Sequence, residues 1–247
     1  MSFARFSLVT LATLALLAGP SPAPASAATP TVDLSDPGLF EALHREAPRL
    51  RPQVLRTALT AAACAARGGQ ARRNEVLTVI DYSLPSTQER LWVFDLAERR
   101  LLWEELVAHG KNTGDDVAKA FSNVNGSKQS SLGLFRTGST YVGGNGYSLR
   151  LHGLEPGIND LALERLIVMH GADYVSEDFI RRVGRLGRSW GCPALGRDVA
   201  RPVIDAIKGG SLLYAYYPDE QLTGGSRYVR AEACGPASGA PAAKIAK

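Results

Sequence analysis

Short apolar runs separated by turn residues dominate the chain from residue 75 onward. Two helical patterns interrupt them, at 176–184 and at 198–210, where Asp198 can cap the helix and Gly209 can end it. Because the runs are dense and do not alternate regularly with helices, we predict a mainly β domain of mixed sheets or a β-sandwich with few helices. Seven runs have the length and residue content of strands, at 75–83, 90–96, 99–108, 131–138, 147–154, 165–171 and 211–217.

A short N-terminal helical extension is predicted ahead of this domain. Asp36 and Pro37 open the first helix, and the second helix runs from Pro52 to a stop at Gly68. Beyond Asp219 the chain is rich in Ala, Gly and Pro, and we expect a loose tail there. The predicted segments are a signal peptide at 1–27, the linker and helical extension at 28–70, the main domain at 75–219 and the tail at 220–247.

The first 27 residues have the pattern of a secretory signal peptide. Arg5 is followed by an apolar run and then by small residues that end in Ala25-Ser26-Ala27, the predicted cleavage site. The run is too short to span a bilayer, and no later segment approaches the roughly 20 apolar residues that a span requires. We expect a soluble mature protein without a transmembrane anchor, in the periplasm or secreted to the cell wall.

The charge balance argues against a nucleic-acid partner. The formal net charge is +4, and removal of the signal segment, which contains Arg5 and no acidic residue, lowers it to +3. No run of Lys and Arg with interleaved aromatic residues accompanies this mild basic bias. Such a bias is compatible with an anionic cell-wall environment.

The chain has three cysteines, which is an odd number for an exported protein in which disulfides are the default. At least one thiol is therefore free or pairs with another molecule, and the count does not say which. Cys64 lies late in the second predicted helix, where it also fits a small buried core residue.

Two candidate nucleophiles stand three positions apart in "GRSWGCPAL", at 187–195. The first, Ser189, satisfies the pattern G-x-S-x-G of serine hydrolases, which requires a buried strand before the turn and a histidine after the serine. Charged, glycine-broken residues precede Gly187, and the last histidine, His170, comes before the serine. We therefore expect Ser189 to fix the loop rather than to react.

Cys192 is the better candidate nucleophile, because pairing with an imidazole greatly increases the reactivity of a thiol. His170 ends a strand-like run 22 positions upstream and is followed by a glycine that allows close approach. A structural role for this histidine stays open on the residues alone. Gly191 leaves room for an acyl carbonyl, and backbone amides beside Cys192 could form an oxyanion hole.

These residues resemble the L,D-transpeptidase catalytic domain of bacterial cell-wall enzymes, and within it the murein L,D-transpeptidase branch. The family motif of histidine-glycine, a spacer and then Ser/Thr-His-Gly-Cys is similar to "HGADYV" at 170–175 and "SWGC" at 189–192. The likeness covers roughly residues 75–217. Trp190 stands where the broad family has a second histidine, and the spacer of 18 residues is somewhat long.

The resemblance implies acyl transfer on peptidoglycan stem peptides. Cys192 would be the nucleophile and His170 the base, with Gly171, Ser189 and Gly191 shaping the loop and the oxyanion site. The thiol and imidazole would need no metal or organic cofactor. The residues expected to contact the substrate are Arg185, Arg188, Trp190 and His152.

Several alternatives stay open at this point. The same site with water as the acceptor would be an L,D-carboxypeptidase, and a secreted cysteine peptidase or a non-catalytic wall-binding module would also fit. The basic loop "RRVGRLGRS" suits a solvated face as well as stem-carboxylate recognition. Because the resemblance assigns Cys192 to catalysis, we expect Cys64 and Cys234 to pair with each other.

Overall fold

The structure is a computed structural model that describes residues 1, 32–230 and 234. The predicted signal peptide and most of the final tail lie outside the described residues. The helices are α1 (Pro37–Glu46), α2 (Pro52–Arg67), α3 (Glu177–Val183), α4 (Arg197–Ile207) and α5 (Glu220–Gly225). The strands are β1 (Val76–Asp81), β2 (Leu91–Asp95), β3 (Arg100–Glu105), β4 (Gly133–Gly143), β5 (Gly146–Gly153), β6 (Val168–Gly171), β7 (Ala194–Leu195) and β8 (Leu212–Tyr216).

These eight strands form one mixed sheet in the order β3-β2-β1-β8-β4-β5-β6-β7. The pairs β1–β8 and β6–β7 are parallel, and the other neighbouring pairs are antiparallel. The predicted mainly β class is confirmed, and each of the seven predicted runs contains a strand. The two-residue strand β7, which follows Cys192, was not predicted.

The sheet is covered by helices on both faces. On one face α1 and α2 pack against residues such as Leu77, Val79 and Trp92. On the other face α4 packs against residues such as Ile80 and Val93. Because alternate residues of a strand point to opposite faces, the nearly unbroken apolar sequence of β1 supplies both layers.

The helix ends follow the sequence with one exception. Asp36 caps α1, since its side chain accepts a hydrogen bond of 2.8 Å from the amide of Gly38. Asp198 does not cap α4, and that prediction was wrong. The helix begins one residue earlier, at Arg197, so Asp198 lies in its first turn, where a carboxylate favours the helix dipole.

A disulfide joins Cys64 of α2 to Cys234, with their Cα atoms 5.3 Å apart, and Cys192 is free. This confirms the predicted pairing. At the start of the tail α5 forms, and Tyr228 is buried in the cluster that contains α1 and α2. Within the part of the chain that the structure describes, no helix is both long enough and apolar enough to cross a membrane.

Candidate active site

Cys192 lies in the loop that leads into β7, where its thiol is packed against β6. The sulfur accepts a hydrogen bond of 3.4 Å from the amide of Val168, and it lies 3.7 Å from the carbonyl oxygen of Leu166. The residue is only 8% exposed. Burial raises the pKa of the Cys192 thiol, while the Val168 amide and the charge of Arg165 act in the opposite direction. The resting group at neutral pH is therefore a thiol that needs a base.

His170 lies on β6, directly opposite Ala194 of β7. Its Nδ1 is 3.0 Å from the carbonyl oxygen of Gly171. Because a carbonyl can only accept, Nδ1 carries the proton and Nε2 is left with a free lone pair. Burial lowers the pKa of His170, and the Gly171 carbonyl partly offsets this effect. The ring is therefore neutral at neutral pH, as a general base must be.

The strand register pairs His170 with Ala194, and Cys192 lies two residues before Ala194, in the loop that leads into β7. Residues paired across a sheet, and every second residue along a strand, share one face. The described hydrogen bonds include none between the sulfur and the His170 ring, because the thiol is turned towards Val168 and Leu166. In the resting structure the Cys192 thiol therefore bonds to the backbone of Val168 and Leu166, and the His170 ring bonds to the carbonyl oxygen of Gly171.

The hydroxyl of Ser189 ties the cysteine loop to itself. Its Oγ donates to the carbonyl oxygen of Cys192 over 2.6 Å and accepts from the amide of Gly191 over 3.1 Å. The hydroxyl is thus engaged within the loop, in agreement with the expectation that it fixes the loop. Gly191 has φ +122, and a Cβ there would lie 2.8 Å from the carbonyl oxygen of Gln129, so only glycine fits.

Ser130 holds the same loop from the other side, and the sequence did not point to it. Its Oγ donates to the carbonyl oxygen of Gly191 over 3.1 Å and accepts from the amide of Gly110 over 3.0 Å. Ser130 is buried, so both bonds are shielded from water. The segment around Gly110 and the one around Ser130 therefore brace the cysteine loop.

Arg165 is a second residue that the sequence did not single out. Its guanidinium donates to the carbonyl oxygens of Ser122 and Gln129 and to the hydroxyls of Ser127 and Ser131. All four partners are neutral. Among the described residues Arg165 has no carboxylate partner. Its positive charge partly offsets the rise in the pKa of Cys192 that burial causes, so it favours the thiolate.

The side chain of His109 is buried against the guanidinium group of Arg90. Nδ1 lies 2.8 Å from a guanidinium nitrogen of the buried Arg90, which can only donate, so Nδ1 is unprotonated. Burial and the charge of Arg90 lower the pKa of His109 to about 4. The carbonyl oxygen of His109 accepts from the amide of Ser189, so this histidine contacts the cysteine loop through its backbone.

The residues predicted to contact the substrate have different environments. Trp190 is 74% exposed, with Nζ of Lys128 5.0 Å from the centre of its ring. Arg188 forms an ion pair of 2.8 Å with Asp115, and Arg185 lies 3.9 Å from the same carboxylate. The two arginines are therefore neutralised in part by one acid.

His152 lies on β5, opposite Arg136 of β4, and no described contact joins it to Cys192. Gly171 contacts α4, since a Cβ at that position would lie 3.0 Å from the Cβ of Ala200. Within the described residues, no three His, Cys, Asp or Glu side chains lie close enough together to hold a metal ion.

Comparison with known proteins gives one family. A family model described as the L,D-transpeptidase catalytic domain matches residues 46–216. No curated protein matches the chain. The range that matches includes α2, the eight strands and the loop of Cys192.

Three solved structures are similar to parts of this chain. An L,D-transpeptidase from Mycobacterium smegmatis is 16% identical, with 58% of this chain and 59% of that chain covered and a TM-score of 0.37. One from Mycobacterium tuberculosis is 15% identical, with 58% of each chain covered and a TM-score of 0.35. One from Stackebrandtia nassauensis is 12% identical, with 72% and 76% covered and a TM-score of 0.34. The chain spans less than two thirds of the length of the two mycobacterial proteins.

Proposed function

The chain belongs to the L,D-transpeptidase catalytic-domain family, and from that membership we propose that it is a murein L,D-transpeptidase that forms a thioester at Cys192. The observation that carries the proposal is the free, buried thiol of Cys192 beside a strand that presents His170 as a neutral imidazole. The substrates are the stem peptides of peptidoglycan.

The first half-reaction transfers one proton and one acyl group. Nε2 of His170 takes the thiol proton, and the Cys192 sulfur adds to the carbonyl carbon of the residue that precedes the terminal D-alanine. The carbon–nitrogen bond then breaks, and D-alanine leaves with the proton from His170. Rotation of the thiol away from Val168 and towards the ring precedes this step, since catalytic hydrogen bonds are often incomplete before substrate binds.

The second half-reaction reverses these steps with a new amine. An amine of a neighbouring stem attacks the thioester carbonyl and gives a proton to His170. Collapse of the intermediate forms the new amide, and the proton returns to the Cys192 sulfur. If water attacks instead, the product is a shortened stem, and the enzyme acts as an L,D-carboxypeptidase.

The amide of Cys192 is the donor that we assign to the oxyanion. It has no acceptor among the described residues, whereas the amide of Gly191 is occupied by Ser189. A free backbone amide next to the nucleophile stabilises the negative oxygen of a tetrahedral intermediate. Ser189 and Gly191 would then act by holding that amide in place.

We also propose export to the cell wall, with a mature chain that begins at Ala28. The motif Ala25-Ser26-Ala27 and the apolar run before it support this proposal. The intact mass of protein recovered outside the cytoplasm measures the cleavage site directly. Retention of the apolar segment would contradict it and indicate a membrane-tethered enzyme.

Muropeptide analysis after incubation of the mature protein with purified sacculi tests the function. We expect new crosslinked stems and loss of terminal D-alanine, and neither with the Cys192→Ala variant. Shortened stems without crosslinks would indicate hydrolysis. Cleavage of ordinary polypeptides alone would indicate an unrelated peptidase, and wall binding without any change in the muropeptides would indicate a non-catalytic module.

A further inference from the structure

Four basic side chains lie together on the sheet beyond the cysteine loop. Arg136 of β4 pairs directly with His152 of β5, and Arg150 is two residues before that histidine. Arg72 lies beside these residues. Its backbone amide donates to the carbonyl oxygen of Gly210, which lies in the turn before β8, and β8 is the neighbour of β4 in the sheet. Burial lowers the pKa of His152, and the positive charges of all three arginines lower it further. We call Arg72, Arg136, Arg150 and His152 the basic cluster.

Among the residues that the structure describes, the basic cluster has no acidic partner. None of its members forms an ion pair with a carboxylate of the described residues, although Arg51 and Arg188 both do. Arg150 instead donates to the hydroxyl of Ser139 over 3.2 Å and lies 4.3 Å from the centre of the Tyr141 ring. Neighbouring positive charges repel one another, so a bound anion would reduce the repulsion within the basic cluster.

The local packing shapes the cluster before any ligand binds. Gly138 has no side chain, and a Cβ there would lie 2.7 Å from Nε2 of His152. The imidazole therefore lies directly on the backbone of β4. Together with the contacts of Arg150 to Ser139 and Tyr141, this close packing restricts the side chains and lowers the entropy lost on binding.

The basic cluster faces the same side of the sheet as the candidate base. Ser148 of β5 pairs with His170 of β6, and alternate residues of β5 then place Arg150 and His152 on that same face. At the rise of an extended strand, Arg150 lies about 7 Å and His152 about 14 Å along β5 from the level of His170. Two to four residues of an extended peptide span the same distance.

We propose that the basic cluster binds carboxylates of a stem peptide whose reacting carbonyl lies at Cys192. The proposal rests on the proposed function, since it takes the stem peptide as the ligand. The position favours a peptide carboxylate over a free phosphate polymer, because the cluster continues the face of the reaction centre at the spacing of peptide residues. Two guanidinium groups also suit bidentate carboxylate contacts.

Binding by calorimetry in the inactive Cys192→Ala background tests the proposal. The ligands are a synthetic stem tetrapeptide with free carboxylates, the same peptide with amidated carboxylates, and polyphosphate. The test variant carries Arg136→Gln and Arg150→Gln. The matched control carries Arg45→Gln and Arg67→Gln, which remove the same charge from exposed positions on α1 and α2.

We expect the test variant to bind the free-carboxylate peptide about tenfold more weakly, with a reduced dependence on salt. The control and the amidated peptide should show no such loss. Equal losses in both variants, an equal loss for the amidated peptide, or no binding by the parent protein would overturn the proposal. Weaker polyphosphate binding with unchanged peptide binding would also overturn it, in favour of a phosphate polymer.

Failure of the proposed function gives a different result. Acyl-enzyme formation is measured as a carbapenem adduct on the protein with its native Cys192. Peptide binding through the basic cluster without such an adduct would support the proposed role of the cluster and contradict the proposed transpeptidase activity. An acyl-enzyme that forms normally with no role for Arg136 and Arg150 in peptide binding would refute the cluster alone.

Discussion

The amide of Val168 donates a hydrogen bond to the sulfur of Cys192, and the same strand carries His170 two residues later. Strand β6 therefore holds the thiol and carries the proposed base, while the cysteine loop is braced separately by Ser189 and Ser130. The residues proposed to react are thus distinct from the residues that hold the loop in place. Substitutions on the two groups should have different consequences.

Cys192, and not Ser189, should carry the acyl group. The Ser189 hydroxyl is committed to the Cys192 carbonyl and the Gly191 amide, whereas the thiol is free. A carbapenem should add one drug mass to the mature protein by intact mass spectrometry. Cys192→Ala should abolish the adduct, and Ser189→Ala should slow its formation without removing it, because the loop is loosened but the thiol remains. An adduct mapped to Ser189 would contradict the mechanism.

Replacement of His170 should remove the base while leaving the fold intact. We expect His170→Gln to acylate on the order of 10²–10⁴-fold more slowly. The active form of His170 is the neutral ring, and its pKa is lowered, so wild-type acylation should persist into mildly acidic solution and fall only below the ordinary histidine pKa. The rate of adduct formation against pH measures this. A fall centred above the ordinary histidine pKa would contradict the assignment.

Arg165 should control the ionisation of the thiol. Burial raises the pKa of Cys192 and the charge of Arg165 partly offsets that rise, so Arg165→Gln should raise the pKa further and slow alkylation by iodoacetamide at neutral pH by roughly 3- to 10-fold. Arg165→Lys keeps the charge and should retain most of the rate. The measurement is the alkylation rate against pH for each variant.

The pH profile separates this role from a structural one. Other titratable groups whose charge interacts with that of Cys192 are the buried Tyr82 and the partly buried Tyr174, and burial raises the pKa of each to about 12. They stay neutral over the useful pH range. A glutamine variant that unfolds more easily but shows the wild-type alkylation profile would assign Arg165 to stability alone.

The sequence was informative where the chemistry or the pattern is local. The alternation of apolar runs predicts seven strands, and the histidine-glycine motif lies in the run that forms β6, which pairs with the strand that follows Cys192. It was uninformative where function depends on contacts between distant segments. The Arg165 partners lie 34 to 43 residues upstream, and Ser130 contacts Gly191 across 61 residues.

Contacts between distant segments also explain why the sequence did not reveal the partner of Arg185 and Arg188 or the strand β7. Arg185 and Arg188 look free in the sequence, but the fold brings Asp115 to them from 70 or more residues away. The strand β7 is only two residues long, and it forms because its residues pair with β6. The pattern of apolar residues does not reveal such a pairing.

The disulfide between Cys64 and Cys234 should stabilise the whole domain. It closes a loop of 170 residues and ties the tail to α2, where Cys64 and Tyr228 belong to one buried cluster. Loss of such a bridge typically costs about 2–5 kcal/mol, because the unfolded chain regains conformational freedom. The variant Cys64→Ala/Cys234→Ala should therefore unfold at lower urea concentration than the wild type without reductant.

Cys192→Ala is the matched control, since it removes a thiol that forms no bridge and should leave the midpoint of urea unfolding nearly unchanged. Equal midpoints for the double variant and the wild type would show that the bridge adds nothing to stability.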